Sequence, residues 1–236
     1  MPDKSNDAHI VQRFDRELEG VRSNVLAMGG IVEQQLSDAL QAMADCDADL
    51  AERTATNDYK VNRMEVQIDE SCTRILALRQ PTASDLRLVL SVAKIIADLE
   101  RIGDEAERIA LFVTRIARAN CNRRHYTELL HMGTLVKDML HNALDAFARM
   151  DARQAVEVAR MDEKVDAEYE AHMRQTMTYM MEDPRNIPPF LDSVWCARSL
   201  ERIGDRSRNL CEYVIYLVKG KDVRHTTLAQ MEEVAR

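Results

Sequence analysis

The sequence predicts an all-α protein built as a tandem repeat of two antiparallel three-helix bundles. Three observations carry that expectation. Seven Gly and five Pro in 236 residues confine turns to a few places, while Ala, Leu, Met, Glu and Arg fill the rest. Apolar residues recur at three-to-four spacing over runs longer than a usual helix. The hexapeptide Leu99-Glu100-Arg101-Ile102-Gly103-Asp104 returns unchanged as Leu200-Glu201-Arg202-Ile203-Gly204-Asp205, the mark of an internal duplication.

The duplication extends well beyond the hexapeptide. At an offset of 104, Met28-Gly29, Val32, Leu36, Ala39 and Leu40 fall on Met132-Gly133, Val136, Leu140, Ala143 and Leu144. Asp47, Asp58, Lys60 and Val61 fall on Asp151, Asp162, Lys164 and Val165. The hexapeptide itself repeats at 101, so the second copy is slightly shorter between those points.

The first helix is expected from about Ala8, with Ile10, Phe14, Leu18, Val21, Val25, Met28, Val32, Leu36 and Leu40 on one face. Gly29-Gly30 marks a bend or a close crossing within it. A turn at Asp45-Cys46-Asp47 leads to a second helix over 49–79. Gln80-Pro81-Thr82-Ala83-Ser84-Asp85 then breaks the chain, with Thr and Ser as candidate caps, and a third helix runs to about Ala119. Asn120 to Arg124 separates the copies. The second copy repeats the plan with helices over 126–149 and 153–181, a break at Glu182 to Asn186, and a helix from Pro188-Pro189 to about Lys219. Gly220 is a natural helix stop. The expected units are residues 1–120, 121–220 and a polar tail, 221–236.

A net charge of −8, with basic residues scattered among acids, excludes a nucleic-acid binder. Five cysteines without a Cys-x-x-Cys pair read as reduced, mostly buried thiols. Met1 to Asp7 lacks a signal peptide's apolar stretch, and no apolar run approaches the roughly 20 residues of a spanning helix. A cytoplasmic protein is therefore expected. The thirteen Met read as core filler, and Trp195 and Tyr213 as packing or interface residues. Glu128-Leu129-Leu130-His131 occurs once, whereas a buried di-iron bundle needs its Glu-x-x-His twice.

The repeated Glu-x-x-x-Asp is the chemical feature. A helical projection puts Ile95, Leu99, Ile102, Ala106, Ile109 and Val113 inward, and Glu100, Asp104 and Glu107 outward. In the second copy Glu201, Asp205 and Glu212 face out. A solvated acidic face with i,i+4 partners such as Asp104 and Arg108 is the plain explanation. Against it, a mildly repulsive pair is written twice, each time beside a mid-helix Gly that costs about 1 kcal/mol against Ala. Helix lengths set Asp104 level with Asp58 and Glu100 level with Asn62. In the second copy Asp162 and Asp166 lie within a turn of Glu201 and Asp205, with Lys164 intruding. Carboxylates converging from two helices suit hard cations such as magnesium, manganese or iron.

Several segments together have a familiar form: Met28-Gly29-Gly30 with Val32 to Leu36, Arg79 to Arg87, both hexapeptides, Thr178 to Asp183, and Val218 to Asp222. On these the chain resembles the PhoU family of bacterial phosphate-signalling accessory proteins. The resemblance implies two three-helix bundles, a homodimer, and negative regulation of the phosphate-starvation regulon. It implies docking between the ATPase subunit of the phosphate transporter and the sensor kinase PhoR, in the cytoplasm and peripheral to the inner membrane through those partners. The family's Glu/Asp-x-x-x-Asp motif binds metal (magnesium, manganese, iron or zinc) and lands on Glu100 with Asp104 and Glu201 with Asp205. Asp58 departs from the pattern, being followed by Asn62, while Asp162 and Asp166 keep it.

A helical rod without a catalytic constellation acts by preferring one state of a partner. Asp85 and Arg87 past Pro81, with Arg149 at the other copy's first turn, are the candidate contacts. Two rival readings are a metal-dependent phosphoesterase using the acidic patches and a generic helical adaptor without metal.

Overall fold

The structure, a computed structural model, describes the backbone of residues 4–119 and 123–236, with side chains for these except 4–11, 123–124 and 186. The described residues are all-α, with no strand among them. The predicted copy boundary at Asn120 to Arg124 falls largely outside them.

The first copy contains α1 (Lys4–Asp45), α2 (Ala48–Ala55), α3 (Tyr59–Arg79) and α4 (Ala83–Arg118). The second contains α5 (Thr127–Arg149), α6 (Ala152–Ala159), α7 (Asp162–Glu182) and α8 (Ile187–Lys219). Pro188 and Pro189 stand in the first turn of α8, where no intrahelical bond needs their missing N–H. Gly220 takes φ +70° and donates to the Tyr216 carbonyl at 2.8 Å, ending α8. The tail carries a further helix, α9 (Leu228–Ala235), started by a Thr227–Gln230 capping box and seated on α6 with Met231 buried.

Each copy thus has three long helices, but the predicted middle helix is broken in both. Asp47 and Asp151 cap the short α2 and α6 by accepting from Leu50 N and from Arg153 and Gln154 N. At the end of α2, Thr56 Oγ1 and Asn57 Nδ2 donate to the Arg53 carbonyl at 2.8 and 3.0 Å, competing with the next helical turn. Both breaks tighten to i→i+3 bonds, Asn57 N to Thr54 O and Met161 N to Val158 O. The chain restarts at Asp58 and Asp162, so these carboxylates stand at the heads of α3 and α7.

The copies pack about an approximate twofold. Val25, Met28, Val32 and Leu36 of α1 and their counterparts are fully buried. α1 runs unbroken through Gly29 and Gly30. A β-carbon on Gly29 would lie 2.7 Å from Leu144, and one on Gly133 would overlap Leu40. The repeat exchanges these two contacts, so each glycine admits the other copy's leucine where α1 crosses α5. The most extensive pairing is between α4 and α8. They run antiparallel, since Asp98 meets Arg206, Glu105 meets Ser199 and Arg115 meets Asp192.

Three cysteines, Cys72, Cys196 and Cys211, are free and buried, as expected. Cys46 is disulfide-bonded, against the expectation of five reduced thiols, and Cys121 lies outside the described residues. Met28, Met43, Met132 and Met139 fill the core, whereas Met177, Met181 and Trp195 are exposed. Among the described residues no helix is long and apolar enough to cross a membrane.

Candidate functional site: two unequal carboxylate clusters

In the first copy, Asp58 from the head of α3 meets Asp104 and Glu107 of α4. Ligand-capable oxygens of the three lie within 4.8 Å of one another, a convergence found once among the described residues. Asp58 is buried, and Asp104 and Glu107 are half-buried. Gly103 makes the approach possible, because a β-carbon there would lie 3.1 Å from Asp58 Oδ1 and 3.3 Å from Val61. The mid-helix glycine therefore has a packing reason: it lets α3 and its acid close on α4. Two amides hold Asp58, Gln35 Nε2 donating to Oδ1 at 3.3 Å and Asn62 Nδ2 to Oδ2 at 2.9 Å.

The cluster carries an excess of negative charge that Arg101 and Arg108 only partly offset. Asp104 is held above the usual carboxylate range by burial and then by Asp58; Glu107 rises for burial, Asp58 and Asp104. Glu100, one turn earlier, rises for burial and its neighbours Asp104 and Glu65. Glu65 of α3, not singled out from the sequence, is raised in turn by burial and Asp69. Such a set is relieved by a proton or by a cation, and its all-oxygen donors suit a hard one.

The second copy brings Asp162, Asp166, Glu201 and Asp205 together. Asp205 is raised by partial desolvation and then by Asp162 and Asp166, and Glu201 by burial and Asp205. One substitution changes the outcome. At the hexapeptide's offset, Glu107 corresponds to Arg208, whose Nη1 donates to buried Asp162 at 2.9 Å. The second cluster thus contains its own cation. Lys164, expected to intrude there, is exposed and lines a surface depression toward α9 with Glu157 and Glu232. Glu212 is not outward but buried, its Oε1 3.8 Å from Arg208 Nε. Gly204 repeats the role of Gly103, a β-carbon there lying 3.2 Å from Val165.

Asp85 and Arg87 occupy the first turns of α4, both half-buried. The Arg87 guanidinium passes over Gly220, 3.6 Å from where a β-carbon would stand. Arg149 is in the last turn of α5 and pairs with Asp145 at 2.8 Å. No hydrogen bond or ion pair joins Arg149 to the other two among the described residues. Sequence reasoning missed Asp98 and Glu105, buried on α4 against α8. Asp98 accepts from Arg206 at 2.7 Å and from Tyr213 Oη at 3.2 Å; Glu105 accepts from Ser199 at 2.7 Å and Arg202 at 3.0 Å. Their seven-residue spacing keeps both on one face of α4, and the four-residue spacing keeps Arg202 and Arg206 on one face of α8; those two faces were the available signal.

The fold and its clusters define a class: an all-α protein of two like helical units, each setting carboxylates from two helices against one another. The model of the PhoU domain matches the chain twice, over 25–113 and 129–214. The chain is 52% identical to the Pseudomonas aeruginosa phosphate-specific transport system accessory protein PhoU homolog, over 95% of this chain and 93% of that one. It is 54% identical to the Escherichia coli K12 phosphate-specific transport system accessory protein PhoU, over 92% and 90%. The crystal structure of PhoU from Pseudomonas aeruginosa superimposes with a TM-score of 0.85 at 52% identity, covering 88% of this chain and all of that one. The PhoU structure from Streptococcus pneumoniae, a phosphate transport system regulatory protein, gives 0.82 at 34%, covering 89% and 99%. The chain belongs to the PhoU family.

Proposed function

We propose that this chain is an accessory protein of phosphate-specific transport that restrains the phosphate-starvation response. It docks the transporter's ATPase subunit and the sensor kinase PhoR, from the cytoplasm and at the inner membrane through those partners. The observation that carries this reading is the match to phosphate-transport accessory proteins over nearly the full length of both chains. In this reading residues 1–120 and 121–220 are the two units, 221–236 is the tail, and the protein works as a homodimer. A docking protein shifts its partner only by its preference for one state, so regulation follows from which kinase and transporter states it fits.

Metal binding belongs to the same proposal. Asp58, Asp104 and Glu107 would hold the ion, with Glu100 a turn away. Their oxygens, without His or Cys, favour magnesium, manganese or iron over zinc. Bound there, the cation neutralises the cluster and locks the head of α3 to α4. Glu201, Asp205, Asp162 and Asp166 form the lesser site because Arg208 already answers Asp162.

Co-purification from cells grown in high and low phosphate tests the docking reading. Asp85→Lys and Arg149→Glu are the clean probes, since Arg87 also packs over the end of α8. The expected result is capture of the ATPase subunit and PhoR by the native chain and reduced capture by these variants. Equal capture by the variants removes those contacts, and capture of neither partner removes the docking reading.

A further inference from the structure

A groove of about 810 Å³ runs along α8, between α4 and the segment after Gly220. Arg101 of α4, Arg198, Arg202, Arg206 and Arg208 of α8, and Arg224 line it. Six guanidinium groups share this one groove: five are paired with carboxylates, Arg224 with Asp222 among them, and Arg101 is unpaired among the described residues. Asp205 and Glu212 are the acids on its wall.

The arginines are anchored but not used up. Arg198, Arg202, Arg206 and Arg208 each give Nη1 to a carboxylate, respectively Glu201, Glu105, Asp98 and Asp162. The carboxylates lie deep, with side-chain exposures of 6% for Glu105 and 10% for Asp98, against 44% and 23% for their arginines. Acids form the floor and guanidinium edges face the groove. Arg206 Nε and Arg208 Nε are buried without a hydrogen-bond partner. Arg101 makes no hydrogen bond or ion pair among the described residues. The duplication explains the excess: the pair of Arg202 with Glu105 in one half corresponds to Arg101 and Arg206 in the other, cation beside cation.

We infer that this groove is a binding site for a tetrahedral phosphate oxyanion, gripped by the free guanidinium edges of Arg101, Arg202 and Arg206. Arg202 and Arg206, pre-positioned by buried carboxylates, match the oxygen geometry of a phosphate group and lose little freedom on binding it, and Arg101 adds a guanidinium with no partner of its own among the described residues. The inference does not depend on docking or on a bound metal: Asp205 of the lesser cluster lies on the groove wall, but none of the gripping groups is a proposed metal ligand.

Titration calorimetry on EDTA-treated full-length protein, at constant ionic strength, tests it with inorganic phosphate and, separately, ATP. Removing metal separates this site from any phosphate bound through an ion. Saturable binding of either probe that weakens at least tenfold in Arg101→Glu supports the inference; inorganic phosphate alone or ATP alone then identifies the source of the group. Arg101 is exposed and unpaired, so the fold should survive, and Arg101→Gln gives the same comparison without a charge reversal. Absence of saturable binding by both probes overturns the inference. So does binding unchanged in both variants, or displaced equally by chloride.

Discussion

Replacing Arg208 by Glu gives the second copy the same acidic set that Glu107 completes in the first. The native pair joins an arginine one-third exposed to an aspartate only 6% exposed at 2.9 Å. Breaking a fully buried pair while leaving one charge behind costs about 3–5 kcal/mol. The exposure of Arg208 lets water share the burden, so about 2 kcal/mol is the expected loss here. For a chain of this length that lowers the melting temperature by about 4–8 °C. Manganese at 100 times its dissociation constant restores about 2.7 kcal/mol if it binds only the folded state. The variant should therefore melt below the native chain in EDTA, recover in manganese, and take one more ion by native mass spectrometry. Equal melting in EDTA would refute the assignment of Arg208 as the built-in counter-charge. An unchanged ion count, in a native chain that does bind manganese, would refute the equivalence of the clusters.

Two further outcomes follow from the first cluster. The carboxyl of Asp104 is raised, so its stabilising contribution is present below the ordinary aspartate range and is lost as pH climbs through the raised value. In EDTA, Asp104→Asn should thus gain on the native chain between pH 4 and pH 7 in denaturant melts, and manganese at pH 7 should reverse the order; a pH-independent difference contradicts the like-charge account. Gly103→Ala gains about 1 kcal/mol of helix propensity, but its β-carbon sits against Asp58 and Val61, where overpacking costs about 1–3 kcal/mol. The variant should be less stable than native and hold manganese less tightly, whereas Gly20→Ala, with nothing within 4 Å, should be more stable by up to about 1 kcal/mol.

The long helices were legible because periodicity, Pro and Gly act within a few residues of where they are written. Val32 and Val136, or Gly103 and Gly204, announce the duplication before any contact is known. The breaks at Asn57 and Met161 were not legible, since neither carries Gly or Pro: the first depends on side chains turning back to a carbonyl and the second on a tightened backbone turn. The first cluster's convergence could be read only as a matter of level: Asp104 beside Asp58 follows from helix lengths, but their facing follows from Gly103 closing the gap. Lys164 was the wrong cation because it was judged by rise along the helix, and its azimuth carries it toward α9. Arg208 was visible as a neighbour of Asp205 at i+3, yet its partner is Asp162 on another helix.

The exchange of Glu107 for Arg208 shows what duplication does to chemistry. Two equal copies would give two equal clusters, each needing a cation from outside. Changing one position from the Glu107 type to the Arg208 type supplies the cation in one copy and leaves the other dependent on its surroundings. The same arginine turns its remaining edge toward the groove, and Arg101, on the opposite wall, eases the charge on Glu100 and Asp104. An anion in the groove draws on the charge that Arg101 otherwise lends to the first cluster. Coupling of that kind is reciprocal, so phosphate should strengthen the first cluster's hold on a cation, and the cation should strengthen the hold on phosphate. The asymmetry between the copies, rather than their likeness, is what allows one end of this network to respond while the other stays fixed.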